Sequence, residues 1–134
     1  MMKKLMLDTH ALLWAIGKSD ELSSRVLKEI TDSRNEVCVS AISIWEIALK
    51  CSLGKLALSF DVKDIPKYCK QMEFSLISLE VSEALGVVEL PQKENHKDPF
   101  DRMLIYQCIQ RGYTLVSKDS KMKFYKDCGL NCMW

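Results

Sequence analysis

The chain predicts an α/β fold: a mainly parallel sheet of about five strands flanked by helices. Two observations lead there. Short apolar runs alternate with longer segments whose apolar residues recur every three or four positions, the pattern of strands leading into helices. No repeat, low-complexity tract or linker interrupts the 134 residues, which fits one domain over 1–134 with a core of ordinary size.

Taken in order, Leu5-Met6-Leu7 after Lys3-Lys4 reads as a buried first strand that stops at Asp8, and Ala11-Leu12-Leu13-Trp14 resumes as helix. Ser19-Asp20-Glu21 looks like a helix start with acids in its first turn, followed by Leu22, Val26, Leu27 and Ile30 at helical spacing. Glu36–Ser40 reads as the second strand. A helix over Ala41–Leu53 stops at Gly54. Val62, Ile65, Cys69 and Met72 share one face of a further helix, with Pro66 tolerable only in its first turn. Phe74–Leu79 is the third strand, and Val81, Ala84, Leu85 and Val88 mark an amphipathic helix ended by Pro91. A polar connection, 92–97, leads to Asp98-Pro99, a strong helix start, and that helix runs to Gly112. Tyr113–Ser117 is the fourth strand, Asp119 opens a short helical turn, and Leu130–Trp134 closes the sheet as a fifth.

Composition excludes several classes. No apolar run approaches the ~20 residues of a membrane span, and the N-terminal run breaks at Asp8 without a signal-peptide pattern. The six cysteines form no C-x-x-C pair and sit mostly in apolar periodic segments, as small hydrophobes in a reducing cytoplasm do. Net charge is +1, so no bulk field announces a nucleic-acid partner. Lys93, Lys97, Arg102, Arg111, Lys118, Lys121, Lys123 and Lys126 nevertheless crowd the C-terminal third, either as a solvated face or as a patch for phosphates.

Four acids stand where chemistry collects in such folds, and each has a plainer role open to it. Asp8 can close a turn at a strand end, Glu46 can complete a capping box with Ser43, Asp101 can be a first-turn acid behind the N-cap Asp98, and Asp119 can cap the short helix. The faces favour something more. Glu46 lines up with Ile42, Leu49 and Leu53, and Asp101 with Leu104, Ile105 and Cys108, so both project from the apolar side of their helices. A lone carboxylate there is costly. Asp8 and Asp119 both follow strands at the edge where these helices begin. Four converging carboxylates would repel one another and demand a cation, and hard oxygen ligands suit Mg²⁺ or Mn²⁺ better than zinc. Asp98, as an N-cap, should stay nearer solvent and ranks behind the four.

Leu7-Asp8-Thr9-His10-Ala11-Leu12-Leu13-Trp14, Ser40-Ala41-Ile42-Ser43-Ile44-Trp45-Glu46-Ile47, His96-Lys97-Asp98-Pro99-Phe100-Asp101-Arg102 and Leu115-Val116-Ser117-Lys118-Asp119 resemble, in order, the motifs of PIN-domain ribonucleases, in particular the VapC-type toxins of bacterial toxin–antitoxin pairs. The resemblance covers nearly the whole chain. It implies a Rossmann-like, three-layer PIN fold and a metal-dependent endoribonuclease that hydrolyses RNA, leaving 5′-phosphate and 3′-hydroxyl ends. Asp8, Glu46, Asp101 and Asp119 would hold Mg²⁺ or Mn²⁺, which would acidify a water for in-line attack on phosphorus. Ser117 stands where many relatives have threonine, and a hydroxyl is kept. Thr9 and Ser117 are candidates to support the ligands by hydrogen bonding, or are ordinary turn hydroxyls. Arg102 and Lys118 are candidate phosphate contacts, Arg102 being as well read as a solvated ion pair. His10 and His96 are read as structural, and Trp14 and Trp45 as core or dimer-face aromatics. The resemblance further implies a homodimer and a small antitoxin that inserts a basic side chain among the carboxylates.

Three other readings compete. A phosphorylation-driven receiver domain would need an acidic pair after the first strand, and only Asp8 is there. A non-catalytic PIN-fold interaction module conflicts with four intact acids. A housekeeping RNA-processing nuclease without an antitoxin shares every motif.

Overall fold

The computed structural model describes residues 2–93 and 95–134; Glu94, within the 92–97 connection, and Met1 lie outside the described residues. Five strands form one sheet: β1 (Lys4–Leu7), β2 (Glu36–Ser40), β3 (Ser75–Ile77), β4 (Thr114–Val116) and β5 (Asn131–Met133). Their order is β3-β2-β1-β4-β5, and every neighbouring pair is parallel. The sheet is therefore entirely, not mainly, parallel. Such sheets need both faces covered. Leu5 and Leu7 face one apolar layer with Leu12, Val26, Ile47 and Ile65, while Met6 faces the other with Leu104, Ile105, Leu115 and Tyr125. The period-two alternation of β1 divides the core into two.

Helices α1 (Thr9–Gly17), α2 (Ser24–Thr31), α3 (Ala41–Ser52) and α4 (Ile65–Gln71) contribute to the first layer, and α6 (Pro99–Arg111) with a 3₁₀ helix over Ser120–Cys128 to the second. Between them, α5 (Val81–Gly86) packs on α6. Among the described residues no helix is long and apolar enough to cross a membrane. All six cysteines are free, with Cys38, Cys69 and Cys108 buried and Cys132 exposed.

Three local expectations are corrected. Ser19–Glu21 forms only a 3₁₀ turn, and α2 starts later because Ser23 Oγ accepts the Val26 N–H at 3.0 Å. The capping box from Ser43 to Glu46 does not form: Ser40 caps α3 by accepting from the Ile42 N–H, and the buried Ser43 hydroxyl has no partner among the described residues. The third correction concerns the face of α5. Its apolar residues Val81, Ala84 and Leu85, with Val88 in the 3₁₀ turn that follows (Val87–Glu89), point to solvent, and its buried residue is Glu83. The carboxylate accepts from Arg111 at 2.7 and 3.0 Å and from Gln107 at 3.0 Å. These charge-assisted bonds, each worth ~1.5–3 kcal/mol, outweigh burying a few small apolar side chains, and they hold the Glu83 carboxyl down at about 2.

In this strand order the sequence moves one way from β1 to β2 and β3, and the other way to β4 and β5. The crevice at such a reversal lies outside the carboxyl ends of the strands. Here Leu7 pairs with Val116, so Asp8 and Ser117 emerge side by side between β1 and β4.

Candidate metal centre

Asp8 leaves β1 and caps α1: its Oδ1 accepts the Ala11 N–H at 2.8 Å. It is 7% exposed, and burial pushes its carboxyl above the ordinary carboxylate value. The Ser117 hydroxyl opposes that shift by hydrogen-bonding the carboxylate, and the charge of Asp119 adds to it. Ser117 also accepts the Asp119 N–H at 3.1 Å, so one buried hydroxyl joins the two strand ends.

Glu46 projects inward from α3 beside Ile42 and Ile47 and is buried. Leu49 is only partly buried and Leu53 is exposed, so the inward face runs through 42, 43, 46 and 47. Thr9 Oγ1 donates to Glu46 Oε1 at 2.6 Å, and the Lys50 ammonium donates to Oε2.

Asp101 sits in the first turn of α6, whose N-cap Asp98 accepts the Asp101 N–H at 2.9 Å. Asp98 is thus the helix cap that its place before Pro99 suggests. Burial raises the Asp101 carboxyl; the His96 hydrogen bond lowers it, and the charges of Asp98 and Glu46 raise it further. His96 Nε2 meets Asp101 Oδ2 at 3.0 Å. Asp119 caps the 3₁₀ helix by accepting the Lys121 N–H at 2.9 Å.

The plainer capping roles of Asp8, Asp98 and Asp119 are therefore real, and they coexist with convergence. Donor atoms of His96, Asp101 and Asp119 lie within 4.8 Å of one another. Asp8 and Glu46 stand outside that tight group and flank it, Asp8 in the field of Asp119 and Glu46 in that of Asp101. Carboxylates desolvated beside one another are unfavourable until a cation joins them, and their hard oxygens fit a divalent ion.

The cationic candidates are placed differently. Arg102 donates to the carbonyls of Leu90 at 2.7 Å and Pro91 at 3.2 Å, so it fastens the segment before the site, and among the described residues it forms no side-chain ion pair. Lys118 is exposed, with its ammonium 5.7 Å from the centre of the Trp14 ring. His10 is exposed against Trp14, whereas Trp45 is exposed against Phe100. A groove of about 460 Å³, whose lining includes Thr9, Trp14, Lys50, Lys55 and Phe60, reaches the acids at Glu46.

Sequence reasoning passed over Lys50, Tyr125 and the role of His96. Lys50 was legible, since Glu followed four residues later by Lys is the favourable helical pair. No spacing rule announces His96 or Tyr125, which meet only in the folded chain.

A family model described as the PIN domain matches residues 5–127. The chain is 26% identical over 125 residues to ribonuclease VapC22 of Mycobacterium tuberculosis, covering 93% of this chain and 94% of that protein. Its backbone is similar to the crystal structure of VapBC2 from Rickettsia felis bound to a promoter DNA fragment, with TM-score 0.68, 18% identity and 97% of each chain covered. VapBC-1 from nontypeable Haemophilus influenzae gives TM-score 0.67 at 14% identity, over 97% of this chain and 96% of that one. Likeness at such identities speaks for the fold alone. The match to the family model over nearly the whole chain speaks for descent: this chain belongs to the PIN domain family.

Proposed function

We propose that this protein is a Mg²⁺- or Mn²⁺-dependent endoribonuclease, the toxin of a VapC-type toxin–antitoxin pair acting in the cytoplasm. The observation that supports the reading is the grouping of Asp101 and Asp119 with His96 within 4.8 Å, with Asp8 in the field of Asp119 and Glu46 in that of Asp101. Membership of the family and the ribonuclease name of its Mycobacterium relative support it.

The four carboxylates would hold the ion, which when bound supplies positive charge to acidify a water and neutralise charge at the phosphodiester. The chain's own part is to fix geometry and admit RNA. Thr9 fixes Glu46 through its hydroxyl contact to Oε1, and Ser117 stands beside Asp8. Lys118 and Lys121, exposed on either side of Asp119, draw phosphate toward the crevice. Arg102 serves indirectly, by holding the loop carbonyls.

For partners, the neighbours solved as VapBC complexes support an antitoxin, and an acidic cluster of this kind suits a basic side chain supplied by it. A second copy of this chain is the proposed occupant of an apolar groove of about 270 Å³ lined by Ile42, Trp45, Leu79, Phe100 and Met103. Leu79 leads into α5, where Val81 and Leu85 are 75 and 68% exposed, and Val88 just beyond it is 84% exposed, an apolar face suited to an interface. Light scattering should give twice the chain mass at micromolar concentration; a monomer removes the dimer.

The nuclease is tested by RNA cleavage with and without Mn²⁺, using Asp101→Asn, Asp119→Asn and Glu46→Gln, with Asp98→Asn as the cap control. Asn caps as well as Asp, so caps alone would tolerate these changes. The three site variants should lose at least ~10²-fold in cleavage, the scale of one lost transition-state electrostatic contact, while Asp98→Asn keeps most of it. Full activity in Asp101→Asn would end the assignment.

A further inference from the structure

Beyond the four acids, a buried polar chain ends on Asp101. His96 is 4% exposed and Tyr125 fully buried, and both ring nitrogens of His96 are engaged. Nε2 meets Asp101 Oδ2 at 3.0 Å, and Nδ1 meets the Tyr125 hydroxyl at 3.0 Å. That hydroxyl also lies 3.5 Å from Arg102 Nη1, while Arg102 is anchored by the Leu90 and Pro91 carbonyls.

The partners assign the hydrogens. An ionised carboxylate only accepts, so Nε2 carries its hydrogen and donates to Asp101. Arg102 only donates, so the phenol oxygen accepts from it and spends its own hydrogen on Nδ1. The direction then runs from Arg102 to Tyr125 to His96 to Asp101, with no donor facing a donor. The four members come from three parts of the chain: Arg102 and Asp101 from α6, Tyr125 from the 3₁₀ helix over Ser120–Cys128, and His96 from the loop before Asp98.

We propose that His96 and Tyr125 are positioning residues for metal capture: the phenol fixes the imidazole ring, and the imidazole pins Oδ2 so that Oδ1 of Asp101 is presented to the ion. This rests on Asp101 being a metal ligand. His96 is near enough to Asp119 to be a ligand itself, but that role would require Nε2 to surrender its hydrogen and abandon Asp101. Two satisfied ring nitrogens in a buried site mark a ring that serves its neighbour. Partners that orient a ligand change metal affinity ~10–100-fold when removed.

The experiment is Mn²⁺ binding to the purified full chain, followed by the electron paramagnetic resonance signal of free Mn²⁺, with melting in EDTA as the fold control. Tyr125→Phe should weaken Mn²⁺ affinity about tenfold while the chain stays folded, since only the hydroxyl is lost. His96→Ala should weaken it by up to about a hundredfold. His96→Gln, whose amide nitrogen reaches where Nε2 was, should recover most of that loss. Asp101→Asn should bind least. Tyr125→Phe and His96→Ala binding like the natural chain, while Asp101→Asn does not, would overturn the positioning role and leave the metal site standing. Loss in His96→Ala and His96→Gln as complete as in Asp101→Asn, with Tyr125→Phe unaffected, would make His96 a ligand and also overturn it. Asp101→Asn binding Mn²⁺ as the natural chain does is a different failure, that of the metal assignment itself.

Discussion

Lys50→Met should tighten metal binding while loosening the metal-free protein. The Lys50 ammonium donates to Glu46, whose side chain is 6% exposed against 39% for Lys50. Fully exposed pairs are worth ~0.2–1 kcal/mol, and removing one partner of a fully buried pair costs ~3–5 kcal/mol. One half of this pair is buried and the other half wet, which places the loss at about 1–2 kcal/mol. Met keeps the apolar stem, so packing changes little. In a domain of this size the metal-free melting point should fall by ~3–8 °C. An ion held by Glu46 must displace the ammonium, so the same free energy opposes capture in the natural chain. By linkage Mn²⁺ affinity in Lys50→Met should rise ~5–30-fold. Calorimetric Mn²⁺ titration and melts in EDTA measure both sides. An unchanged melting point, or weaker Mn²⁺ binding, would refute the reasoning, because Lys50 would then be either idle or an ally of the metal.

Two further outcomes are expected. Asp8 and Asp101 are held above the ordinary carboxylate value near 4, so between that value and their raised ones the folded chain binds more protons than the unfolded chain. Their contribution to metal-free stability is full at low pH and lost as pH rises. Mn²⁺ affinity should therefore fall on acidification from pH 7, and melts in EDTA should show the natural chain gaining on Asp101→Asn as pH drops; the opposite trend removes the desolvation argument. Gly86→Ala should cost ~1–3 kcal/mol, because a Cβ there would lie 2.1 Å from the Tyr106 hydroxyl and 2.5 Å from its Cζ, so the ring must move. Denaturant melts of Gly86→Ala with and without Tyr106→Ala test it: a double variant no more stable than the sum of the singles denies the clash.

The strands, the order of helices and the placement of acids at strand ends were legible because period-two and period-3.6 patterns are local. The ends of elements were less so. Ser19 reads as a helix start, yet it is Ser23 that caps α2. At α5 the apolar stripe was real and its direction was not, since Glu83 has partners in Arg111 and Gln107 that lie far along the chain. The same limit hid the Tyr125–His96 contact. Glu46 and Asp101 were visible as acids on apolar helix faces and Asp8 and Asp119 as acids after strands, but how tightly each joins the group, and that Lys50 already occupies Glu46, are facts of three-dimensional neighbourhood.

The strand order also has a consequence for synthesis on the ribosome. The central strand β1 is made early, yet its Leu5 waits for Thr114 of β4, and Ser117 and Asp119 follow later still. Contacts of such sequence separation form late and slowly. A growing chain therefore carries one edge of β1 bare and its acids unassembled until β4 and the residues after it are made. Whatever chemistry the crevice performs is withheld from the ribosome until the last strands emerge, and the open β1 edge offers a nascent-chain binder a template through that interval.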